Sequence, residues 1–156
     1  MRHLFYRLID KLEAYGISGK ISGWIEEWLS GRRQRVCING SCSGWRPVTS
    51  GVPQGSVLGP VLFLIFINDL DASTTSSILK FADDTKVLEK ADEGSEIQTI
   101  QDDLDKLDSW AGAWQMAFNV NKCKVMRLGE RNARHPYFLE GIMQGPDANL
   151  FFSQMI

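Results

Sequence analysis

Histidine and cysteine are scarce in this chain, with two histidines and three cysteines, the latter at Cys37, Cys42 and Cys123. An odd, irregularly spaced trio beside so few histidines forms no recognisable zinc pattern, and reduced thiols in an intracellular protein fit best. A long apolar run is also lacking. The longest, Val61 to Ile67, is far short of the roughly 20 residues that cross a bilayer, so no membrane span is expected. Arg2, Arg7, Asp10 and Lys11 interrupt the first stretch and exclude a secretory signal, which leaves the nucleus or cytoplasm with no targeting signal. Excess positive charge is missing too. With 17 Lys and Arg against 19 Asp and Glu, the net charge is −2, and any nucleic acid has to be held by local features.

What is present is ordinary globular material: 156 residues, 44% apolar and 23% charged, enough for one domain or part of one. Leu4, Leu8, Leu12 and Tyr15 predict a helix over 3–15 that stops at Gly16. Ile21, Trp24, Ile25 and Trp28 predict a second helix over 18–29 with these four on one face. Asn39-Gly40 then signals a hairpin between Val36-Cys37-Ile38 and the segment reaching Val48. The apolar stretch Val57–Leu70, with Ser56 as cap and Pro60 in the first turn, suits a buried helix. Two short strands, "SILKF" and "TKVLE", bracket Asp83-Asp84, with Ile78, Leu79, Phe81, Val87 and Leu88 to pack. Ile97, Ile100, Leu104, Leu107, Ala111 and Trp114 form the seam of an amphipathic helix ending near Phe118. A strand over Lys124–Leu128 and a short hairpin through Tyr137–Met143 complete the list. Helices interspersed with hairpins indicate an α+β fold, not parallel winding.

Two adjacent carboxylates between buried runs repel each other and lose hydration, which a cation relieves. A polar turn is the plain explanation. A divalent metal is the sharper one, because hard oxygen ligands suit Mg²⁺ and metal ions assist phosphoryl transfer. Arg32, Arg33 and Arg35 form the one dense basic cluster, readable as phosphate contacts or as a solvated turn. The pairs Trp24/Trp28 and Trp110/Trp114 fall at i,i+4 and are expected in the core.

The block "SGVPQGSVLGPVLFLIFINDL", followed by "LKFADDTKV", resembles the reverse transcriptases of non-LTR (LINE-type, jockey-like) retrotransposons, RNA-directed DNA polymerases with a palm fold. The similarity runs from about Leu8 to Gly129, and "YFLEG" at 137–141 is faintly similar to the primer-gripping hairpin of that family. It implies a partial palm over 1–129, an antiparallel sheet with a central Asp-Asp hairpin packed by helices, and a divergent tail over 130–156. It implies that Asp83 ligates both catalytic metal ions, Mg²⁺ or Mn²⁺, with Asp84 as a second carboxylate. Gln54 and Gly55 would shape the surface where template base and incoming nucleotide meet. Lys122 matches the position proposed as general acid toward pyrophosphate, with Lys124 a weaker claimant. RNA template, DNA primer and dNTP are the partners of the family.

The resemblance also has gaps. The family carries a third acid on a strand that should lie at or before residue 1, and Asp10, on a helix, does not replace it. Fingers and thumb are missing. Metal binding is therefore expected to be weak or absent and the chain inactive alone, and whether it is an enzyme stays open. The missing strand would leave an unpaired sheet edge, so self-association through that edge is expected. The alternatives are a working polymerase whose fingers and first acidic strand come from another chain or from omitted upstream sequence, or a palm scaffold repurposed to bind RNA or protein.

Overall fold

The computed structural model describes residues 4–90, 94–127, 135–144 and 153–154. The chain divides into two compact units, Met1–Ile67 and Asn68–Ile156. Among the described residues no helix is long and apolar enough to cross a membrane.

In the first unit, α1 (Leu4–Ala14) and α2 (Lys20–Leu29) bracket a turn through Gly16. The helix α1 buries Leu8, Ile9 and Leu12 together with Lys11. The Lys11 ammonium donates to the Phe66 carbonyl oxygen and lies 4.8 Å from the Phe66 ring centroid, so the buried cation meets the negative end of a helix. In α2 the buried face is Ser22, Ile25 and Leu29. Ile21 and Trp24, expected on that face, are 60% and 57% exposed. The buried face is instead centred on Ser22, whose hydroxyl is satisfied there by donating to the Gly19 carbonyl oxygen at 3.1 Å. Trp24 and Trp28 stack on each other, centroids 6.0 Å apart, with Trp24 outside the core.

Residues 33–47 form a ribbon. Strand β1 (Arg33–Gln34) pairs with β4 (Arg46–Pro47), and β2 (Cys37–Ile38) pairs with β3 (Ser41–Cys42) across Asn39-Gly40. Both turn residues have positive φ, 49° and 83°, the type I′ geometry that this dipeptide favours. The turn sets Ile38 opposite Ser41 and Cys37 opposite Cys42, a closely spaced cross-strand pair. The two sulfurs are bonded, with Cα atoms 4.1 Å apart. The expectation of reduced thiols therefore fails for this pair, whereas Cys123 is buried and outside a disulfide.

Helix α3 (Leu58–Phe66) is shorter than expected and amphipathic: Gly59, Leu62 and Phe66 are buried, whereas Val61 and Leu64 are 48% and 50% exposed. Its start follows the sequence. The Ser56 hydroxyl donates to the Pro53 carbonyl oxygen at 2.7 Å and accepts the Gly59 N–H at 3.0 Å, capping the helix. A Cβ on Gly59 would stand 2.8 Å from Ser56 Oγ and 3.0 Å from the Pro53 oxygen.

The second unit is built on the hairpin β5 (Ser77–Phe81) and β6 (Asp84–Leu88) and the long helix α4 (Gly94–Trp114). Leu104, Leu107 and Ala111 are buried on α4 as the seam predicts. The helix ends before Phe118 because Gln115 takes a left-handed φ of 57° and the Met116 N–H returns to the Ala111 carbonyl oxygen at 2.9 Å, a Schellman stop. Trp110 is part-buried, its indole N–H donating to Asp69 Oδ1 at 3.1 Å. No strand forms over 124–127; Lys122 N–H to Asn119 O and Cys123 N–H to Val120 O make local turns. Leu128, the last residue of that expected strand, lies outside the described residues.

The expected late hairpin is present as β7 (Tyr137–Leu139) and β8 (Ile142–Gln144), turning at Glu140-Gly141. Tyr137 and Leu139 are buried. Gln101 on α4 acts as a substitute strand: its Nε2 donates to the Phe138 carbonyl oxygen at 3.0 Å and its Oε1 accepts the Phe138 N–H at 2.9 Å. A two-residue strand β9 (Ser153–Gln154) lies on β6.

Asp103 of α4 has no exposed surface. It accepts the N–H groups of Thr75 (2.9 Å) and Ser76 (2.7 Å) and pairs with Lys106 at 2.8 Å. Burial pushes its carboxyl up, but Lys106 and the Ser76 and Thr75 donors overcome this and hold it at about 2, below the ordinary 3.8. The folded value lies below the unfolded one, so the gain is complete above about pH 4 and is lost as the pH falls toward 2. We expect Asp103→Asn to cost about 2 kcal/mol in urea denaturation at pH 7 and nearly nothing at the acid end. An equal loss at both pH values would contradict the assignment. Gly59→Ala should lower stability by about 1–2 kcal/mol, because crowding of the Ser56 hydroxyl and the Pro53 backbone oxygen outweighs the helix propensity of alanine. A gain in the urea midpoint would show that the turn yields.

Candidate functional site

The residues singled out in the sequence fall in both units. In the second, the register pairs Phe81 with Asp84, which makes Ala82-Asp83 a two-residue turn and Asp84 the first residue of β6. Such a turn needs positive φ at its first position, and Ala82 takes it at 52°. A residue with a Cβ there carries strain of the kind that collects at functional sites. Both carboxylates are half-buried.

Strand alternation sorts the hairpin into two faces. Ile78, Lys80, Thr85 and Val87 share one; Leu79, Phe81, Asp84, Lys86 and Leu88 share the other. On the first face Thr85 is fully buried, and Lys80 is tied to Asp71 Oδ1 at 2.6 Å and to the Asn68 carbonyl oxygen at 2.9 Å. On the second, Leu79, Phe81 and Leu88 are 55%, 81% and 37% exposed. These three were expected to pack, but a strand buries one face and Asp84 lies on the other. The half-buried Asp84 thus shares its face with the exposed Leu79 and Phe81 and with Lys86.

Of the hairpin's two edges, that of β6 is paired over two residues, Asp84 with Gln154 and Thr85 with Ser153, and β5 is the outer strand of this sheet among the described residues. The Thr85 hydroxyl has no hydrogen-bond partner among the described residues. Lys122 sits exposed in the turn after α4, and the neighbouring Lys124 is exposed too. Among the described residues no group of three or more His, Cys, Asp and Glu converges as a metal site. Asp83 and Asp84 carry carboxylate oxygens, the hard donor type that suits Mg²⁺.

In the first unit, the Ser56 N–H returns to the Pro53 carbonyl oxygen at 3.3 Å, closing a turn with exposed Gln54 and Gly55 at its centre. Gly55 has φ +79°, which a side chain would resist. Arg32 holds the segment just before this turn. Its Nε donates to the Leu29 carbonyl oxygen at 2.7 Å and its Nη2 to those of Ser50 and Gly51, and burial draws the guanidinium below its ordinary value. Arg33 and Arg35 differ: both lie over the ring of Trp45, at 5.8 and 4.6 Å from its centroid. Neither Trp45 nor Ala82 was signalled as functional by the sequence pattern, although Trp45 stands beside Arg46 in a segment without acids.

Comparison with known proteins gives a consistent picture. A family model described as "Reverse transcriptase (RNA-dependent DNA polymerase)" matches residues 5–143. The "RNA-directed DNA polymerase from mobile element jockey" of Drosophila melanogaster is 32% identical over 121 residues, 72% of this chain and 13% of that protein. The "Probable RNA-directed DNA polymerase from transposon X-element" of the same fly is 32% identical over 127 residues, 77% of this chain and 14% of that protein. The jockey polymerase of Drosophila funebris is 33% identical over 116 residues, 69% of this chain and 13% of its own. The chain therefore spans about a seventh of the length of these relatives. No solved structure matches it.

Ala82→Gly should raise stability by about 0.5–1 kcal/mol, because relief of the left-handed strain exceeds the extra entropy of an unfolded glycine. Ala82→Val should lower it. A urea midpoint that falls with glycine would show that the turn is not strained at this position.

Proposed function

Because the chain belongs to the reverse transcriptase (RNA-dependent DNA polymerase) family, we propose that it is a piece of a retrotransposon polymerase palm whose Asp83-Asp84 hairpin belongs to the nucleotidyl-transfer centre. The observation that supports this most directly is the strained two-residue turn, which sets Asp83 at the tip and Asp84 on an open strand face. Asp83 and Asp84 would hold Mg²⁺ or Mn²⁺, which when bound neutralises charge on the reacting phosphates. Gln54 and Gly55, on the turn closed between Pro53 and Ser56, would contact the template base and incoming nucleotide. Lys122 would give a proton to the departing pyrophosphate. Arg33 and Arg35 would take phosphates of the RNA template or DNA primer.

On this reading the 156 residues alone do not complete the centre. Two carboxylates hold a metal weakly, and aligned in-line transfer needs further ligands and a held primer end. The second reading, a scaffold that binds RNA or protein without catalysis, draws on the Arg33, Arg35 and Trp45 cluster.

Two measurements separate these possibilities. Mn²⁺ titration followed by electron paramagnetic resonance should show weak binding, lost in Asp83→Asn and reduced in Asp84→Asn; unchanged binding in both variants would remove the metal role. Primer extension on an RNA template with Mg²⁺ or Mn²⁺ should give no product. Extension that Asp83→Ala abolishes would establish a working polymerase and refute inactivity.

A further inference from the structure

From Trp28 to Asn68 the chain contains no Asp or Glu, yet it carries Arg32, Arg33, Arg35 and Arg46. In a chain of net charge −2 this is a concentrated basic region, and the structure divides its members. Arg32 is committed to the carbonyl oxygens of Leu29, Ser50 and Gly51. Arg33, Arg35 and Arg46 are exposed on the ribbon. Between them stands Trp45, 50% exposed, with the guanidiniums of Arg33 and Arg35 over its ring.

We propose that the ribbon 33–47 binds single-stranded nucleic acid, with the Trp45 indole stacking on an unpaired base and Arg33, Arg35 and Arg46 contacting the flanking phosphates. The proposal rests on the reading of Arg33 and Arg35 as nucleic-acid contacts given above; Trp45 and Arg46 and the single-stranded target are added to it, and the Asp83-Asp84 hairpin is not involved. Charge selects a polyanion as the occupant. The aromatic ring then selects among polyanions, because duplex bases are already stacked on one another, whereas an unpaired base gains about 1–3 kcal/mol on an aromatic side chain. An acidic peptide would satisfy the arginines and leave the indole face without a flat partner. The platform is also ordered in advance. The type I′ turn at Asn39-Gly40 and the Cys37–Cys42 bond close the tip, and the Ser43 N–H to Val36 O bond (2.8 Å) and the Val48 N–H to Arg32 O bond (2.9 Å) hold the two arms. Little conformational entropy remains to be lost on binding.

The test is fluorescence anisotropy of the whole chain with a short labelled oligouridine over a series of potassium chloride concentrations. Binding should weaken as salt rises. Trp45→Ala should reduce affinity about tenfold with the salt slope unchanged, and Trp45→Phe should recover most of the loss. The pair Arg33→Gln and Arg35→Gln should lower the slope by about 1.4, two single-strand phosphate contacts. Asp83→Ala should leave binding intact, so the metal role can fail while this site stands, and the reverse. The proposal is overturned if Trp45→Ala, with unchanged circular dichroism, binds like the parent chain. It is equally overturned if a duplex or an oligoglutamate peptide competes as well as unlabelled oligouridine.

Discussion

Asp103 carries its charge with no exposure to solvent, which is unfavourable unless its lone pairs find donors. Thr75, Ser76 and Lys106 supply them, and two of those donors are backbone groups immediately before β5. The carboxylate therefore fixes the start of β5 against α4. Neighbouring contacts repeat the device: Trp110 reaches Asp69, and Lys80 reaches Asp71 and the Asn68 carbonyl. The loop 68–76 is held by side chains of the elements around it. A hairpin anchored at its base in this way can leave one face open, and that is the face on which Asp84 stands with Phe81.

Three two-residue turns among the described residues show how local rules and function diverge. Asn39-Gly40 and Glu140-Gly141 place glycine second with both φ positive, as the twist of a hairpin demands. Ala82-Asp83 breaks the rule, with alanine in the left-handed region and a carboxylate next to it. The first two turns need nothing but chain reversal. The third accepts strain where glycine would have been easier, and such exceptions are expected where a side chain must be presented.

Legibility in the sequence followed the same division. The buried Leu8 and Leu12, the Leu104–Leu107–Ala111 seam, the Ser56 cap and the Asn39-Gly40 turn were readable because each depends on spacing or on one local hydrogen bond. The outward placement of Ile21 and Trp24 was not, since a polar Ser22 lies on the buried face, its hydroxyl satisfied by the Gly19 carbonyl oxygen, and apolar spacing does not reveal that. The Cys37–Cys42 bond needed the register, not the cysteine count. Over 124–127 the alternation is real, with Cys123 and Val125 buried between exposed residues, but a strand also needs a partner, and periodicity does not reveal one. Asp83 and Asp84 were visible as a pair; that a strained turn presents them was not.

The basic run at 32–35 shows why charge patterns need geometry before they can be assigned a task. Three arginines within four residues read as one cluster, yet their guanidiniums have two different kinds of partner. Arg32 spends its donors on the carbonyl oxygens of Leu29, Ser50 and Gly51. Arg33 and Arg35 lie on an aromatic ring, an arrangement that leaves N–H groups directed at solvent. A guanidinium already satisfied by backbone gains little from a phosphate, whereas one stacked on an indole gains charge-assisted hydrogen bonds without giving up the stack. The net charge of −2 hid this distinction, because it averages over residues whose donors are occupied and residues whose donors are available.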